Sequence, residues 1–488
     1  MSDTSTPGVE LTHPVRVKLA GSLLTSLLWV VFVWGFWEKE LFAIGVNATV
    51  YLALLAGLFI WELRRHGISI KKQLYWMIPI GMIIVSFALY DNPFLKAFSF
   101  FFLPLLFVVF YNVSFLKDGE HVFWSGGFLA KLFERCMGFL GTLGQSIRTH
   151  LRLIAFSSKR GGIIQRIVFG LVLFLIISVV LVLPILSSAD AAFATAVSGV
   201  MQWLQTILSA TILQRLGVGL ALSVFILSTL FAWPRLFSFE EAHQERKHLD
   251  PIVSGIVLGG VLGLYLLFLG LQVQHLWTGS LPYDFKEAEQ LVKSGFWQLL
   301  FLTVVNIAFY FFTYRKTIAP VQHILAAFTV ASLLLLVSAA HRMALYVTTF
   351  GFSYEKFYAS YTVLFCAVLF VWLIYRLFVN KRAQMLKFLA VQFLWMYGVV
   401  AILPVEQFVL SMNVKLAERP TSQIELYELT MLSPDVLGLV ESLEQQGKLG
   451  DTEEVLGWQQ WITNRQTLVS SKAWYEKNLS NVLYEAGR

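Results

Sequence analysis

Charge is scarce in this chain. Of 488 residues, 14% are charged and 57% hydrophobic, whereas soluble domains carry roughly 25% charged residues. One apolar segment cannot account for the deficit, because runs of about twenty apolar residues recur from end to end, each long enough to cross ~30 Å of hydrocarbon as a helix. A membrane β-barrel is excluded, since it would show short alternating segments with a polar inner face. The fold class is therefore all-α: a polytopic helical membrane protein of about eleven spans.

Cysteine is nearly absent too. Cys136 lies in a basic loop and Cys366 in an apolar run, so neither a disulfide framework nor a thiolate metal site is expected. Recognisable catalytic motifs are missing. There is no Gly-rich loop ending in Lys-Ser/Thr, no His-Glu-x-x-His, no Cys-x-x-Cys and no Gly-x-Ser-x-Gly, which argues against ATPase, zinc-protease and α/β-hydrolase chemistry. No cofactor, metal site or catalytic residue is assigned. Ionisable groups deep in the spans, usually functional when present, are few. Asn47, Asn306, His323 and Gln392 are the mid-span polar residues; Asn306 is expected to hydrogen-bond between helices. This poverty weighs against a proton- or sodium-coupled transporter.

Spans are expected at about 19–37, 41–61, 73–90, 94–113, 163–186, 212–233, 252–276, 295–314, 319–340, 357–379 and 387–406, with kinks near Pro79, Pro104, Pro184 and Pro404. The leading "MSDTSTPGVELTHPVRVK" is polar and the first run is long enough to remain a span, so no cleavable signal peptide is expected. Lys and Arg concentrate in alternate loops: Arg16 and Lys18, Arg64 to Lys72, Lys117 to Arg166, Arg235 to Lys247, Arg315 and Lys316, and Arg376 to Lys387. This bias places the N-terminus inside and the C-terminal tail outside the membrane. Topology thus accounts for the net charge of +7, and no nucleic-acid partner is expected. Residues 188–211 carry Asp190. Counting them as a full span weakens the bias, so they are read as an interfacial or re-entrant helix on the outer side.

Four regions follow: a four-span region at 1–113, a basic inner loop at 114–162, a seven-span core at 163–410 and a soluble helical tail at 411–488. Within the loop, Leu129, Leu132, Phe133, Cys136, Leu140, Leu143, Ile147, Leu151 and Ile154 recur every three or four residues. A helix over 128–156 lying on anionic lipid headgroups is expected. In the tail, Ser433, Pro434 and Asp435 start a helix that Gly447 stops. Asp451 and Glu454 resemble a capping box, with Val455, Trp458, Trp461 and Ile462 along one face.

Polar residues gather at the expected outer side: Asp190, then Asp284, Glu287 and Glu289, then "AAHRMALYVTTFGFSYEKFYA" with His341, Arg342, Tyr346, Glu355 and Lys356, then Glu406. Arg342 and Tyr346, four apart, share a helical face. Asp190, Glu287, Glu289, Arg342 and Tyr346 form the candidate polar cluster. An interfacial anchor, in which Arg snorkels and Tyr joins an aromatic belt, is the plain alternative.

Several stretches in order, "SSADAAF", "SGFWQLLFLTVVN", the His341 segment, "NVKLAERP" and "LYELTMLSPDVLGLVESL", resemble a bacterial integral membrane family called domain of unknown function 4173 and its relative 4153. The resemblance spans about residues 160–445. It implies a helical membrane fold in a bacterial setting and brings no mechanism. Three functional classes remain. The first is a non-enzymatic envelope sensor, regulator or assembly component, with a protein partner on the tail. The second is a transporter or channel for an apolar or amphipathic solute. The third is an interfacial lipid- or glycan-modifying enzyme using Asp190, Glu289 or His341 with Arg342.

Overall fold

The computed structural model describes residues 13–35, 43–69, 74–117, 124–154, 210–234, 249–276, 301–379 and 384–487, apart from 315, 421, 425, 450 and 451, with a few isolated positions between these ranges. Apolar runs become helices because an unpaired backbone amide has no partner in hydrocarbon. They are α1 (His13–Leu28, continued by a π-type turn Trp29–Val33), α2 (Val46–Arg65), α3 (Leu74–Leu89), α4 (Pro93–Ser114), α5 (Gly126–Met137), α6 (Phe139–Ile154), α7 (Ala210–Ala232), α8 (Pro251–Leu276), α9 (Phe301–Thr313), α10 (Ala319–Phe350), α11 (Tyr354–Val379) and α12 (Met385–Ile402). Eight described helices are long and apolar enough to cross a membrane; α3 and α9 are apolar but shorter. Every expected span except 163–186 coincides with one of these helices. That span, Pro184 and residues 188–198 lie outside the described residues.

The helices form two packed groups. One core draws on α2, α3, α4, α5, α7 and α12, with Tyr111, Ile83 and Leu394 fully buried. The other joins α8, α9, α10 and α11 around Leu325, Leu369 and Leu373. Polar residues stitch helices within these groups. Tyr265 donates to Asn306 Oδ1 at 2.7 Å and Asn306 Nδ2 donates to Ser332 at 2.8 Å, the interhelical role expected of Asn306. Gln392 donates to the Phe365 carbonyl at 2.6 Å. His323 is exposed. Pro79 and Pro104 sit inside α3 and α4. Gly398 of α12 lies against the Pro79 turn, where an added Cβ would come within 3.1 Å of the Pro79 carbonyl oxygen.

One end of the bundle is basic. Lys18 pairs with the fully buried Glu62 at 2.6 Å and donates to the Leu230 carbonyl at 2.9 Å. Arg65 and His66 flank the same carboxylate. The tail sits at the opposite end. It comprises α13 (Val405–Ala417), 3-10 turns at Leu426–Met431 and Pro434–Val436, α14 (Leu437–Gln445), α15 (Thr452–Ser470) and α16 (Leu479–Ala486). Ser433 caps the Asp435 amide and Gly447 adopts φ 67° as the stop. Asp451 and the Glu454 side chain lie outside the described residues. Trp458, Trp461 and Ile462 are buried in a core continuous with the spans. The expected tail boundary at 411 falls inside α13.

Two expectations change. The helix expected to end near residue 340 runs on to Phe350. At 32 residues α10 is about 48 Å long, so the His341–Tyr346 stretch is helix and the turn comes only at Gly351, with φ 76°. The expected single surface helix at 128–156 is two helices meeting at Gly138. The second, α6, lies lengthwise on the apolar span α7 and turns its polar stripe inward. Thr142 Oγ1 donates to the Ser228 carbonyl and Ser146 Oγ to the Val224 carbonyl, both at 2.8 Å. Ser223 Oγ lies 2.8 Å from His150 Nε2. Leu140, Ile147 and Leu151 point away from the protein. The amphipathic period is as expected, but packing assigns the polar face to the interior.

The tail meets the spans by direct backbone contact. Val46 and Asn47, the first amides of α2, donate to the carbonyls of Lys477 (3.2 Å) and Tyr475 (2.8 Å), partners that helix N-termini otherwise lack. Gly45 permits this approach: a Cβ there would sit 2.2 Å from the Glu476 carbonyl oxygen. Gly45→Ala is therefore expected to cost about 1–3 kcal/mol, read as a lower thermal midpoint in detergent and faster proteolysis after Ser470.

Candidate functional site

The segment "YDNP" ends α3 and begins α4. Asn92 caps α4 by accepting from the Leu95 amide at 3.0 Å, and Pro93 takes the first helical position, where no amide partner is needed. This turn delivers Asp91, with no exposed surface, into the junction between spans and tail. Lys96, one turn into α4, donates to Asp91 Oδ1 at 2.7 Å and to the Ile44 carbonyl. From the tail, Lys472 Nζ reaches Asp91 Oδ2 at 2.5 Å and Asn481 Nδ2 reaches the same oxygen at 2.9 Å. Lys472 also donates to Asn481 Oδ1 at 2.9 Å.

The network continues through a second acid. The Asp91 amide donates to Asp435 Oδ2 at 2.6 Å, and the Ser480 hydroxyl donates to Asp435 Oδ1. Ser433, two residues before Asp435, links it to a third acid. Its amide (2.8 Å) and hydroxyl (2.5 Å) both donate to Glu406 Oε2, while the Tyr354 hydroxyl donates to Oε1. Gln407 Nε2 donates to the Asp435 carbonyl at 3.1 Å. Three buried carboxylates and two buried lysines thus tie α4 and α11 to both ends of the tail, α13 at its start and the stretch around Lys472 and α16 at its close.

Their electrostatics differ. Burial pushes Asp91 upward, but Lys96 and Lys472 outweigh it and hold the carboxyl below its usual range. Burial raises Glu406 to about 7 against the pull of the Ser433 and Tyr354 hydrogen bonds, and the Asp91 charge adds to the rise. Asp435 is raised well above its usual range by burial, then by Asp91 and Glu406, with Ser480 and Lys96 opposing. Burial lowers Lys472 although Asp91 supports its charge. An isolated buried charge is very costly, and pairing or protonation relieves it.

Next to Glu406 lies the Gly351 turn. Asn413 of α13 clamps it twice: the Phe352 amide donates to Asn413 Oδ1 at 2.6 Å, and Asn413 Nδ2 donates to the Phe352 carbonyl at 2.8 Å. Of the expected polar cluster, Arg342 is half-buried on α10 and Tyr346 is buried, its ring covered by the Lys356 ammonium at 4.5 Å. Asp190, Asp284, Glu287 and Glu289 lie outside the described residues. The network found instead holds Glu406 and Asp435, which sequence reasoning noted as an outer-side polar residue and a helix-start acid. Asp91, Lys96, Lys472 and Asn481 were missed. Lys96 offered a signal, as a cation one turn inside an apolar run.

The family described as Domain of unknown function (DUF4153) matches residues 77–443. The chain belongs to this family. The match is to 4153, the relative of 4173, and it begins well before the expected residue 160. It takes in Asp91, Lys96, Glu406 and Asp435 and stops before Lys472 and Asn481. Neither a curated protein nor a solved structure matches the chain.

Removing one partner from a buried ion pair leaves an uncompensated charge. Asp91→Asn, which strands Lys96 and Lys472 without their counter-charge, is expected to cost about 3 kcal/mol and to loosen the tail. The double variant Asp91→Asn/Lys472→Met should regain part of that loss. Thermal midpoints of the three proteins in detergent check this, and equal loss in both variants would contradict pairing at Asp91.

Proposed function

We propose that this multi-pass membrane protein is a non-enzymatic sensor or regulatory component of the bacterial envelope. Its tail is held on the spans by a latch that takes up protons. The observation carrying this reading is the pair of acids at the joint between spans and tail: Glu406 accepts from the Tyr354 hydroxyl of α11, and Asp435 accepts from the Asp91 amide. The tail is placed outside the plasma membrane. Supporting this, Lys18, Arg64, Arg65, Lys117, Lys316 and Arg376 collect at the bundle end opposite the tail, as the positive-inside bias requires. A latch in that position meets the external medium, and a protein partner on the tail would read its state.

The groups facing the two acids come from every neighbouring element. They are Tyr354 and Tyr358 on α11, Tyr90, Asp91 and Lys96 at the α3–α4 turn, and Ser480 and Lys472 in the tail. The sign of the pH dependence follows from the raised carboxyls. An acid whose value in the docked state exceeds its ordinary 4.5 contributes docking stability in full below that value. The contribution is lost as pH rises through about 7. Asp435 acts in the same direction. Asp91, held low, acts oppositely: its contribution fades only as pH falls below its ordinary 3.8.

Hydrogen exchange of the tail at pH 5.5 and 8, corrected for intrinsic rates, tests this. Wild-type protein should show stronger protection of residues 433–486 at pH 5.5. Glu406→Gln should keep the tail docked and shrink the difference, leaving the share of Asp435. Equal protection at both pH values in the wild type would defeat the latch.

A further inference from the structure

The final helix is built inside out for a helix in water. In α16, Asn481 is buried and reaches Asp91, Ser480 reaches Asp435, and Tyr484 donates to Glu441 Oε1. Asn478, just before the helix, caps it by accepting from the Asn481 amide at 2.9 Å and is also buried. The opposite stripe is apolar and open: Leu479 is 48% exposed, Val482 48% and Leu483 62%, at the i, i+3, i+4 spacing of one helical face. Trp474, a few residues earlier, is 76% exposed.

The location of this face suggests what covers it. The strand of chain leading into α16 caps the first turn of α2 through Tyr475 and Lys477. Tyr475 sets its ring edge-on to Phe32 at the end of the first span, with centroids 5.3 Å apart, and Trp474 packs edge-on against Tyr475 at 5.6 Å. The apolar stripe therefore begins where the outward apolar surface of the first span ends, at Val31, itself 52% exposed. Tryptophan and tyrosine at a span end are the residues an interface favours. A short helix with a polar stripe fixed to protein and an apolar stripe facing out suits the boundary between headgroups and acyl chains.

We propose that α16 and Trp474 form a bilayer seat, with Leu479, Val482 and Leu483 set into the outer part of the lipid leaflet beside the first two spans. The tail is then held at two levels. Its polar stripe is bolted to Asp91 and Asp435, and its apolar stripe rests on lipid. The seat goes beyond the proton latch and does not depend on it: a tail whose docking ignores pH would still rest on lipid.

The test is site-directed spin labelling of the full chain in lipid nanodiscs, with Cys136 and Cys366 replaced by serine. Single cysteines replace Leu483, Val482 and, as a control on the exposed face of α15, Asn464. Leu483 and Val482 point away from the protein, so their replacement leaves the internal packing intact, and Leu479 offers a further position. Power saturation compares molecular oxygen, which concentrates in lipid, with a water-soluble nickel chelate. Labels at 482 and 483 should be relaxed several-fold more by oxygen than by the chelate, and the label at 464 should show the reverse. A chelate effect at 483 as large as that at 464 overturns the seat. Protection from both reagents at 482 and 483 also overturns it, because a protein surface would then be the occupant.

Discussion

Asp91 is the point on which the tail's position depends. It sits in a three-residue turn, Tyr90 to Asn92, between α3 and α4, and it has no exposed surface. Two ammonium groups and an amide converge on its carboxylate, while its own amide holds Asp435. Electrostatic attraction over such distances is strong in a dry interior, and desolvation is correspondingly severe. The arrangement is stable only if all partners are present together. The backbone contacts at Gly45 and the Asn413 clamp at the Gly351 turn surround this point and fix the same tail at other places.

Solvent decides which way an amphipathic helix faces. Both α6 and α16 place hydroxyl, amide or imidazole groups against protein and leave leucine, isoleucine or valine outside. In water this would expose the wrong face. Against hydrocarbon it keeps Thr142, Ser146, His150 and Asn481 on protein partners. The Ser and Thr hydroxyls of α6 return to carbonyls of a neighbouring span, and the same economy joins Asn306 to Tyr265 and Ser332.

Much of the architecture was legible because its cause is local. Runs of apolar residues make spans wherever they occur, and Ser433, Pro434 and Gly447 mark a helix start and stop by their own backbone chemistry. The end of α10 was not legible. His341 and Arg342 look like a boundary in one dimension, yet both are good enough helix residues to continue, and only Gly351 breaks the helix. The direction of α6 was hidden for a related reason: periodicity names two faces without saying which meets protein. The charge network was harder still. Asp91 and Lys472 carry no shared motif, and their pairing follows from packing between α4 and the tail, which a linear reading does not supply.

Separation along the chain gives that pairing a consequence in time. Lys472 and Asn481 lie 381 and 390 residues beyond Asp91. During synthesis, the early helices enter the membrane with an aspartate and Lys96 in place while their last partners are still unmade. The first third of the protein must therefore wait, with one oxygen of Asp91 short of its donors, for the closing stretch of translation. A ribosome that stops before residue 472 releases a set of spans that looks complete in the bilayer but whose Asp91 Oδ2 lacks both of its tail donors. Such a fragment differs chemically from the finished protein at one spot, and cellular surveillance of membrane proteins has that spot to recognise.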